Sequence, residues 1–190
     1  MRIAAALASA LVLACGSGLE RSAYFSFEGS LQGWTPRGTD LTIGNAIEAW
    51  SIEPSSDRAF EGSGSAKLFL DNQNAMGKVW LERTFPVTPG KRYRAHLELA
   101  LGTADATGSG RLIAGVLQAP PRSATDLTAA VREDTSNRGA QGYAWISKTY
   151  DVGAQIAETG SLTALIGVWG TSGTPRTYYL DTVAVVLIEE

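Results

Sequence analysis

The feature that most restricts the fold of this chain is a series of short segments in which apolar and polar residues alternate. In the clearest, residues 92–101, every second position from Tyr93 to Leu101 is apolar, and charged or polar residues stand at positions 92, 94, 96 and 98. Successive side chains of a strand point to opposite faces, so this pattern predicts a strand with one buried face. A slip of one residue would bury the charges, which fixes the register.

About nine such segments follow one another, separated by turns rich in Gly, Pro, Ser and Asp. They are residues 24–27, 47–52, 66–70, 78–87, 92–101, 111–118, 143–152, 162–169 and 177–188. No long segment has the 3.6-residue period of a helix, and the best helical candidate, 123–132, is one or two turns long. We expect exposed loops at 102–110, 119–125 and 132–142, and a hairpin turn at 170–175. The pattern predicts an all-β, antiparallel two-sheet β-sandwich.

Composition excludes several functions. The chain has one Cys and one His, so it can form neither a Cys/His zinc site nor an intramolecular disulfide. It has 16 basic and 19 acidic residues and no basic block, so we expect no nucleic-acid partner. It lacks a P-loop, a Gly-x-Ser-x-Gly elbow and a His-Glu-x-x-His motif. We therefore expect no enzyme, although Glu82 and Glu98 could form a glycosidase pair if their strands were neighbours.

The first 14 residues have the character of an export signal. One Arg precedes an apolar stretch that is too short to span a bilayer of about 30 Å. The end of the stretch, Val12-Leu13-Ala14-Cys15, resembles a bacterial lipobox, which implies cleavage before Cys15 and lipidation of its sulfur. An ordinary signal peptide cut a few residues later is the alternative. We expect an extracytoplasmic protein, held at the bacterial envelope or cell surface or else secreted, with a tether at 15–22 and the sandwich at 23–190.

Four blocks of the chain resemble one family. They are Phe25-Ser26-Phe27-Glu28 with Gly33-Trp34, residues 56–68, residues 85–94 and residues 178–183. These blocks resemble the jelly-roll carbohydrate-binding modules of the cellulase-associated, galactose-binding-domain-like type. The resemblance implies a jelly roll that binds an oligo- or polysaccharide without cleaving it, here as a monomer. The alternative is an envelope lipoprotein of the same fold that makes structural or protein contacts and binds no sugar.

The resemblance also implies a structural calcium ion that ties the N-terminal strand to the C-terminal one. The matching carboxylates are Glu28 and Asp181, and carbonyls of the 61–67 loop, those of Gly62 and Lys67 among them, would complete the shell. Thr182 stands where the family often has a second Asp. In the alternative, Glu28 and Asp181 only cap turns.

Sugars present apolar C–H faces and hydroxyl edges, so their sites combine a flat aromatic ring with hydrogen-bonding side chains. If strands 78–85 and 92–101 are neighbours, one polar face carries the following candidates, with Trp169 and then Trp50 as further platforms. The candidates are Trp80, Glu82, Arg94, His96 and Glu98. Alternatively, a loop covers Trp80 and the charged row is a solvated sheet face. Trp34 is expected in the core.

Overall fold

The structure, a computed structural model, describes residues 20–190 and consists almost entirely of strands. The strands are β1 (Glu20–Phe25), β2 (Thr35–Thr39), β3 (Thr42–Ile43), β4 (Ala46–Ile47), β5 (Trp50–Ser55), β6 (Ser65–Leu70), β7 (Lys78–Pro86), β8 (Arg92–Thr103), β9 (Gly110–Leu117), β10 (Val131–Asp134), β11 (Ala144–Ile156), β12 (Ser161–Gly170) and β13 (Arg176–Glu189). A 3-10 helix covers Thr125–Ala130. Each predicted segment overlaps a strand, so the all-β prediction is confirmed; β2, β3, β4 and β10 are additional. No helix in residues 20–190 is long and apolar enough to cross a membrane.

The strands form two antiparallel sheets. The six-stranded sheet has the order β11-β8-β13-β6-β5, with β1 paired to β13, and the five-stranded sheet has the order β10-β9-β12-β7-β2. Strands β3 and β4 form a separate small hairpin. Because β12 and β13 belong to different sheets, residues 170–175 are a crossover between sheets, and the predicted hairpin turn there is wrong. Strands β7 and β8 are likewise consecutive in the chain but belong to different sheets and do not pair.

The main core lies between the two sheets. The inward face of β8 contributes Leu97 and Leu101, both fully buried, and β7 contributes Leu81 from the opposite sheet. Trp34 is 4% exposed and meets Phe25 edge to face at 5.3 Å, as predicted for a core tryptophan. At the N-terminal end β1 begins at Glu20, so the predicted tether is too long: its last three residues belong to the sheet. Cys15 and the predicted signal lie outside the described residues.

A second, smaller apolar cluster covers the outer face of the five-stranded sheet. The sheet contributes Trp80, Ile113 and Leu165, and the 3-10 helix places Leu127 and Ala130 over them. The helix lies close because Gly115 has no side chain: a Cβ there would be 2.8 Å from the Cβ of Ala130. This cover closes the centre of one outer sheet face and leaves the outer face of the six-stranded sheet as the open one.

Candidate functional site

The structure separates the ligand residues predicted from the sequence into two groups. Trp80 and Glu82 lie on β7 in the five-stranded sheet, whereas Arg94, His96 and Glu98 lie on β8 in the six-stranded sheet. Both groups point outward, away from the core, and therefore lie on opposite sides of the sandwich. The predicted shared face is wrong because β7 and β8 are not neighbours. For the same reason Glu82 and Glu98 do not form a carboxylate pair.

Trp80 is not an exposed platform. Its side chain lies in the second apolar cluster, with 4% of the residue exposed, and its Nε1 donates to Glu82 Oε2 at 3.3 Å. Glu82 is itself 8% exposed and accepts from Arg37 Nε at 2.8 Å. The hydrogen-bonding groups of this pair are thus satisfied within the protein, which agrees with the alternative of a covered tryptophan.

The other two predicted tryptophans also face elsewhere. Trp169 lies on the same outer face as Trp80, where the buried Lys78 ammonium stands 4.6 Å from the centre of its ring. Trp50 lies opposite the buried Leu70 and packs against the edge of the main core. Neither side chain reaches the outer face of β8, so neither belongs to one site with Arg94, His96 and Glu98.

A groove of about 290 Å³ crosses the outer face of the six-stranded sheet. We call it the sheet groove; its floor is the backbone and small side chains of β8, β11 and β13. Its lining residues are Tyr24, Phe60, Glu61, Glu98, Leu99, Ser147, Lys148, Thr149, Thr182 and Ala184. Tyr24 and Phe60 are 56% and 44% exposed, unusual values for aromatic residues of a folded domain. The groove thus combines exposed ring surface with carboxylate and hydroxyl groups.

One end of the sheet groove is extended by an aromatic cluster. Phe60 meets Trp145 edge to face at 5.7 Å, and Tyr143 meets Trp145 at 5.8 Å and Tyr179 at 5.9 Å. The Arg58 guanidinium lies 4.0 Å from the centre of the Tyr143 ring. Trp145, Tyr143 and Tyr179 arise from strands β11 and β13 and the residue before β11, so the sheet itself holds this cluster rigidly.

The other end of the sheet groove carries a row of charged groups. His96 lies between two carboxylates, with its Nδ1 at 2.9 Å from Asp151 Oδ1 and its Nε2 at 3.1 Å from Glu98 Oε1. Hydrogen bonds to Asp151, and then to Glu98, raise the pKa of His96 above its ordinary value. Farther along β8, Arg94 binds Glu190 through its Nε and one terminal nitrogen, at 3.0 and 2.7 Å. Of the predicted residues, Glu98 thus lines the groove, His96 adjoins it through its contact with Glu98, and Arg94 is beyond its end.

Tyr24 and Phe60 form an aromatic wall of the sheet groove, and contacts with two carboxylates position it: Asp181, at the bulge of β13, and Glu61, on the loop that carries Phe60. The fully buried Asp181 accepts from the backbone N–H groups of Phe60 and Glu61, at 2.7 and 3.1 Å. Burial raises the pKa of Asp181, and the charge of Glu28 adds to the rise, whereas the N–H donors oppose it. Tyr24 donates to Glu61 at 3.1 Å; burial, and then this bond, raise the pKa of Tyr24 to about 12. The loop that carries Phe60 is therefore fixed from below.

The residues predicted to bind calcium surround the loop that carries Phe60. Glu28 accepts from the N–H and hydroxyl of Ser63, at 2.9 and 2.7 Å, and a Cβ at Gly62 would collide with its carboxylate. The Lys67 side chain points outward and pairs with Asp57 at 2.6 Å, which leaves only its carbonyl as a candidate ligand. Two carboxylates and a glycine-rich loop are an oxygen donor set that suits a hard cation. Within residues 20–190 no three Asp, Glu, His or Cys side chains are grouped as a metal site.

Comparisons with known proteins agree on the fold. No protein-family model and no curated protein matches the chain by sequence. The K1 cleaved adhesin domain of Lys-gingipain from Porphyromonas gingivalis W83 matches with a TM-score of 0.54 at 16% identity, covering 87% of this chain and 97% of that one. The N-terminal CBM22 tandem of Paenibacillus barcinonensis Xyn10C matches with a TM-score of 0.50 at 19% identity; the match covers 95% of this chain and 48% of the tandem. A Stig cyclase from Fischerella sp. TAU matches at 0.51 and 14% identity, over 82% of this chain and 85% of that one.

These matches confirm the predicted resemblance at the level of the fold. The chain is an antiparallel β-sandwich of the kind found in carbohydrate-binding modules. Because the same architecture also occurs in an adhesin domain and in a cyclase, the function must be argued from the site.

Sequence reasoning missed Tyr24, Phe60 and Trp145 as residues of the site. The alternation in β11 contained a usable signal, since Trp145, Thr149 and Asp151 share one parity and Val152 has the other. That parity places Trp145 on the polar face. No local pattern could place Phe60, because its position depends on the contact between its loop and Asp181, which is 121 residues away in the chain.

Proposed function

We propose that the chain is a non-catalytic carbohydrate-binding domain and that the sheet groove binds the sugar. The observation that supports this most strongly is the exposed wall of Tyr24 and Phe60 above a floor lined with Glu98 and Thr149. Pyranose rings pack their C–H faces on aromatic rings, and their hydroxyls bond to carboxylates and hydroxyls at the edge. A groove that is open along the sheet suits a chain of sugars better than a small enclosed ligand.

The proposed binding is not accompanied by cleavage. Two carboxylates line the sheet groove, but Glu61 is bonded to the Tyr24 hydroxyl and Glu98 to the His96 ring. A glycosidase needs one carboxyl that is free to donate a proton and a second that activates water or attacks the sugar. We expect no new reducing ends when the protein is incubated with any glycan that it binds. Release of reducing ends, lost in Glu98→Gln, would instead show an enzyme.

A glycan array and a matched pair of variants test the proposal. Phe60→Ala truncates a side chain in the groove wall, where the residue is 44% exposed. Ile156→Ala is the matched control, because Ile156 is similarly exposed, at 46%, but lies at the far end of β11. We expect Phe60→Ala to weaken binding of the best glycan about tenfold or more, the loss of one stacking contact. Ile156→Ala should bind like the wild type. No binding on a broad array, or equal effects of the two variants, contradicts the proposal.

A structural calcium ion is part of the proposal. Glu28 and Asp181 would supply carboxylate oxygens to it, and the ion would stabilise the loop that carries Phe60. The burial of Asp181 and the repulsion between the two carboxylates support it, because a cation relieves both. We expect the melting temperature to rise with calcium and fall with EDTA; at 100 times the Kd the gain is about 2.7 kcal/mol. Asp181→Asn should remove the calcium response. An identical melting temperature with calcium and EDTA contradicts the ion.

The location of the protein is a separate proposal. Cys15 would be lipidated after export, and the domain would stand as a monomer outside the cytoplasm, at the envelope or cell surface. The lipobox resemblance at residues 12–15 supports the anchor. Labelling of the expressed full chain with a fatty-acid analogue should give a lipidated product, absent in Cys15→Ser. Size-exclusion chromatography with light scattering should give the monomer mass.

A second candidate function is protein contact by the same sandwich without sugar binding. It is favoured by the β3–β4 hairpin, where Ile43 and Ile47 are 42% and 79% exposed. Exposed aliphatic side chains on a projecting hairpin suit a protein surface better than a sugar. A glycan array without hits, together with self-association or pull-down lost in Ile47→Asp, would favour this candidate.

A further inference from the structure

His96 is the only histidine of the chain, and its ring contacts Glu98, which lines the sheet groove. On β8 its nearest charged neighbours on the same face are Arg94 and Glu98. Strand β11 places Asp151 opposite it, and β13 places the apolar Val186 on its other side. About a third of its side chain is exposed, so protons reach it from solvent. The charged groups that face His96 from its own and the adjacent strands are thus Arg94, Glu98 and Asp151.

The geometry of the ring favours its protonated form. Both ring nitrogens face carboxylate oxygens, at 2.9 Å and 3.1 Å, and a carboxylate only accepts hydrogen bonds. Both contacts are hydrogen bonds only when both nitrogens donate, as they do in the imidazolium form. The neutral ring has a single N–H, so loss of the proton turns one of the two contacts into a repulsion between lone pairs.

We propose that His96 is a positioning residue for Glu98, and that deprotonation of His96 weakens ligand binding in the sheet groove. In the protonated state the ring holds Glu98 Oε1, and the second oxygen of that carboxylate is oriented for a sugar hydroxyl. The neutral ring keeps its N–H on the nearer Asp151, and Glu98 loses its fixed orientation. This inference rests on the proposed function, because it assigns pH dependence to the same groove.

The direction of the pH effect follows from the two carboxylates. They raise the pKa of His96 above the ordinary value of about 6.5. Binding should therefore be strongest below pH 6.5 and weaken as the pH rises through the raised pKa. The expected loss is about three- to tenfold in Kd, the range for one oriented hydrogen bond.

The first experiment needs no ligand. Because the chain has one histidine, its ring nitrogens give a single set of signals in a 15N NMR titration of the whole protein. We expect an imidazolium at pH 6 and a midpoint above 6.5. The midpoint should fall in Asp151→Asn and stay in Arg92→Gln, whose charge is four residues away on the same face. A neutral ring at pH 6 overturns the inference whatever the protein binds.

The second experiment measures Kd for the best array glycan between pH 5 and 9. The wild-type curve should have the NMR midpoint, Asp151→Asn should shift both midpoints together, and His96→Gln should bind weakly with no pH dependence. A purely structural role would instead lower the melting temperature without moving the midpoint. A wild type that binds with a flat profile refutes the role of His96 and leaves the proposed function intact. A wild type that binds no glycan refutes the proposed function, and the NMR result then stands alone.

Discussion

Trp80→Ala most directly tests the burial of Trp80, which the structure shows and the sequence pattern did not predict. The side chain is almost fully buried against Ile113, Leu127 and Leu165, and truncation of a buried Trp typically costs about 3–5 kcal/mol. The cluster is on an outer face and has a short helix as its cover, so partial collapse should keep the loss near the lower end, about 3 kcal/mol. A domain of ordinary stability has about 5–15 kcal/mol, so the variant should still fold.

Urea denaturation followed by circular dichroism measures this loss. With a slope of about 2 kcal/mol per molar urea, the midpoint should fall by about 1.5 M. Sugar binding at low urea should not change, because Trp80 and the sheet groove lie on opposite faces of the sandwich. Phe60→Ala is the reverse case: its midpoint should move by less than about 0.5 M, while binding falls. An unchanged midpoint for Trp80→Ala together with loss of binding would refute the placement of both residues.

Three further predictions concern buried contacts. Asp105 accepts hydrogen bonds from two backbone N–H groups and three hydroxyls. Asp105→Ala should therefore lower the free energy of unfolding, measured by urea denaturation, by about 3 kcal/mol. Burial alone would raise the pKa of Asp105, but these bonds lower it; the stabilisation should be complete above pH 4 and be lost in acid titration as the pH falls through that lowered pKa. The buried Lys148 pairs with the more exposed Glu133 at 2.8 Å. Glu133→Gln leaves a buried ammonium without its partner charge, so it should lower the free energy of unfolding in urea by about 2 kcal/mol more than Lys148→Met does. Gly115→Ala should push Ala130 outward and cost about 1–3 kcal/mol by the same assay, and an unchanged midpoint would contradict the close helix contact.

The strands could be predicted because their signal is local. Alternation in β8 assigns Leu97 to the core and His96 to the opposite side without any knowledge of the partners. The same reasoning placed Trp80 and Glu82 on the face of β7 that points away from the main core, which is right, but it expected that face to be solvated, whereas both residues are buried. It could not identify the sheet to which each strand belongs, because the short turn between β7 and β8 is compatible with a hairpin and with a crossover. The pairing is decided by β12 and β13, whose residues come about 75 to 96 positions after their partners in β7 and β8.

The site was harder to predict than the fold for the same reason. His96 and Glu98 could be found because their own strand exposes them. The aromatic wall could not, because Tyr24 and Phe60 become neighbours only when the β13 bulge brings Asp181 under the loop. A residue whose position depends on contacts across the chain has no signature in its own segment. Only the blocks that resemble a family, in which Phe60 and Asp181 both occur, contained that information.

The cover over the five-stranded sheet determines which outer face of the sandwich is open. Both outer faces carry aromatic and charged side chains in similar alternation, so the strands alone do not distinguish them. Leu127 and Ala130 bury Trp80 on one face, and no comparable segment crosses the centre of the other, where Glu98 and Thr149 stay accessible in the part of the chain that the structure describes. A short segment between β9 and β10 therefore determines which outer face is open. Since the segment can differ without any change in the strands, the open face of this sandwich depends on a connection and not on the sheets.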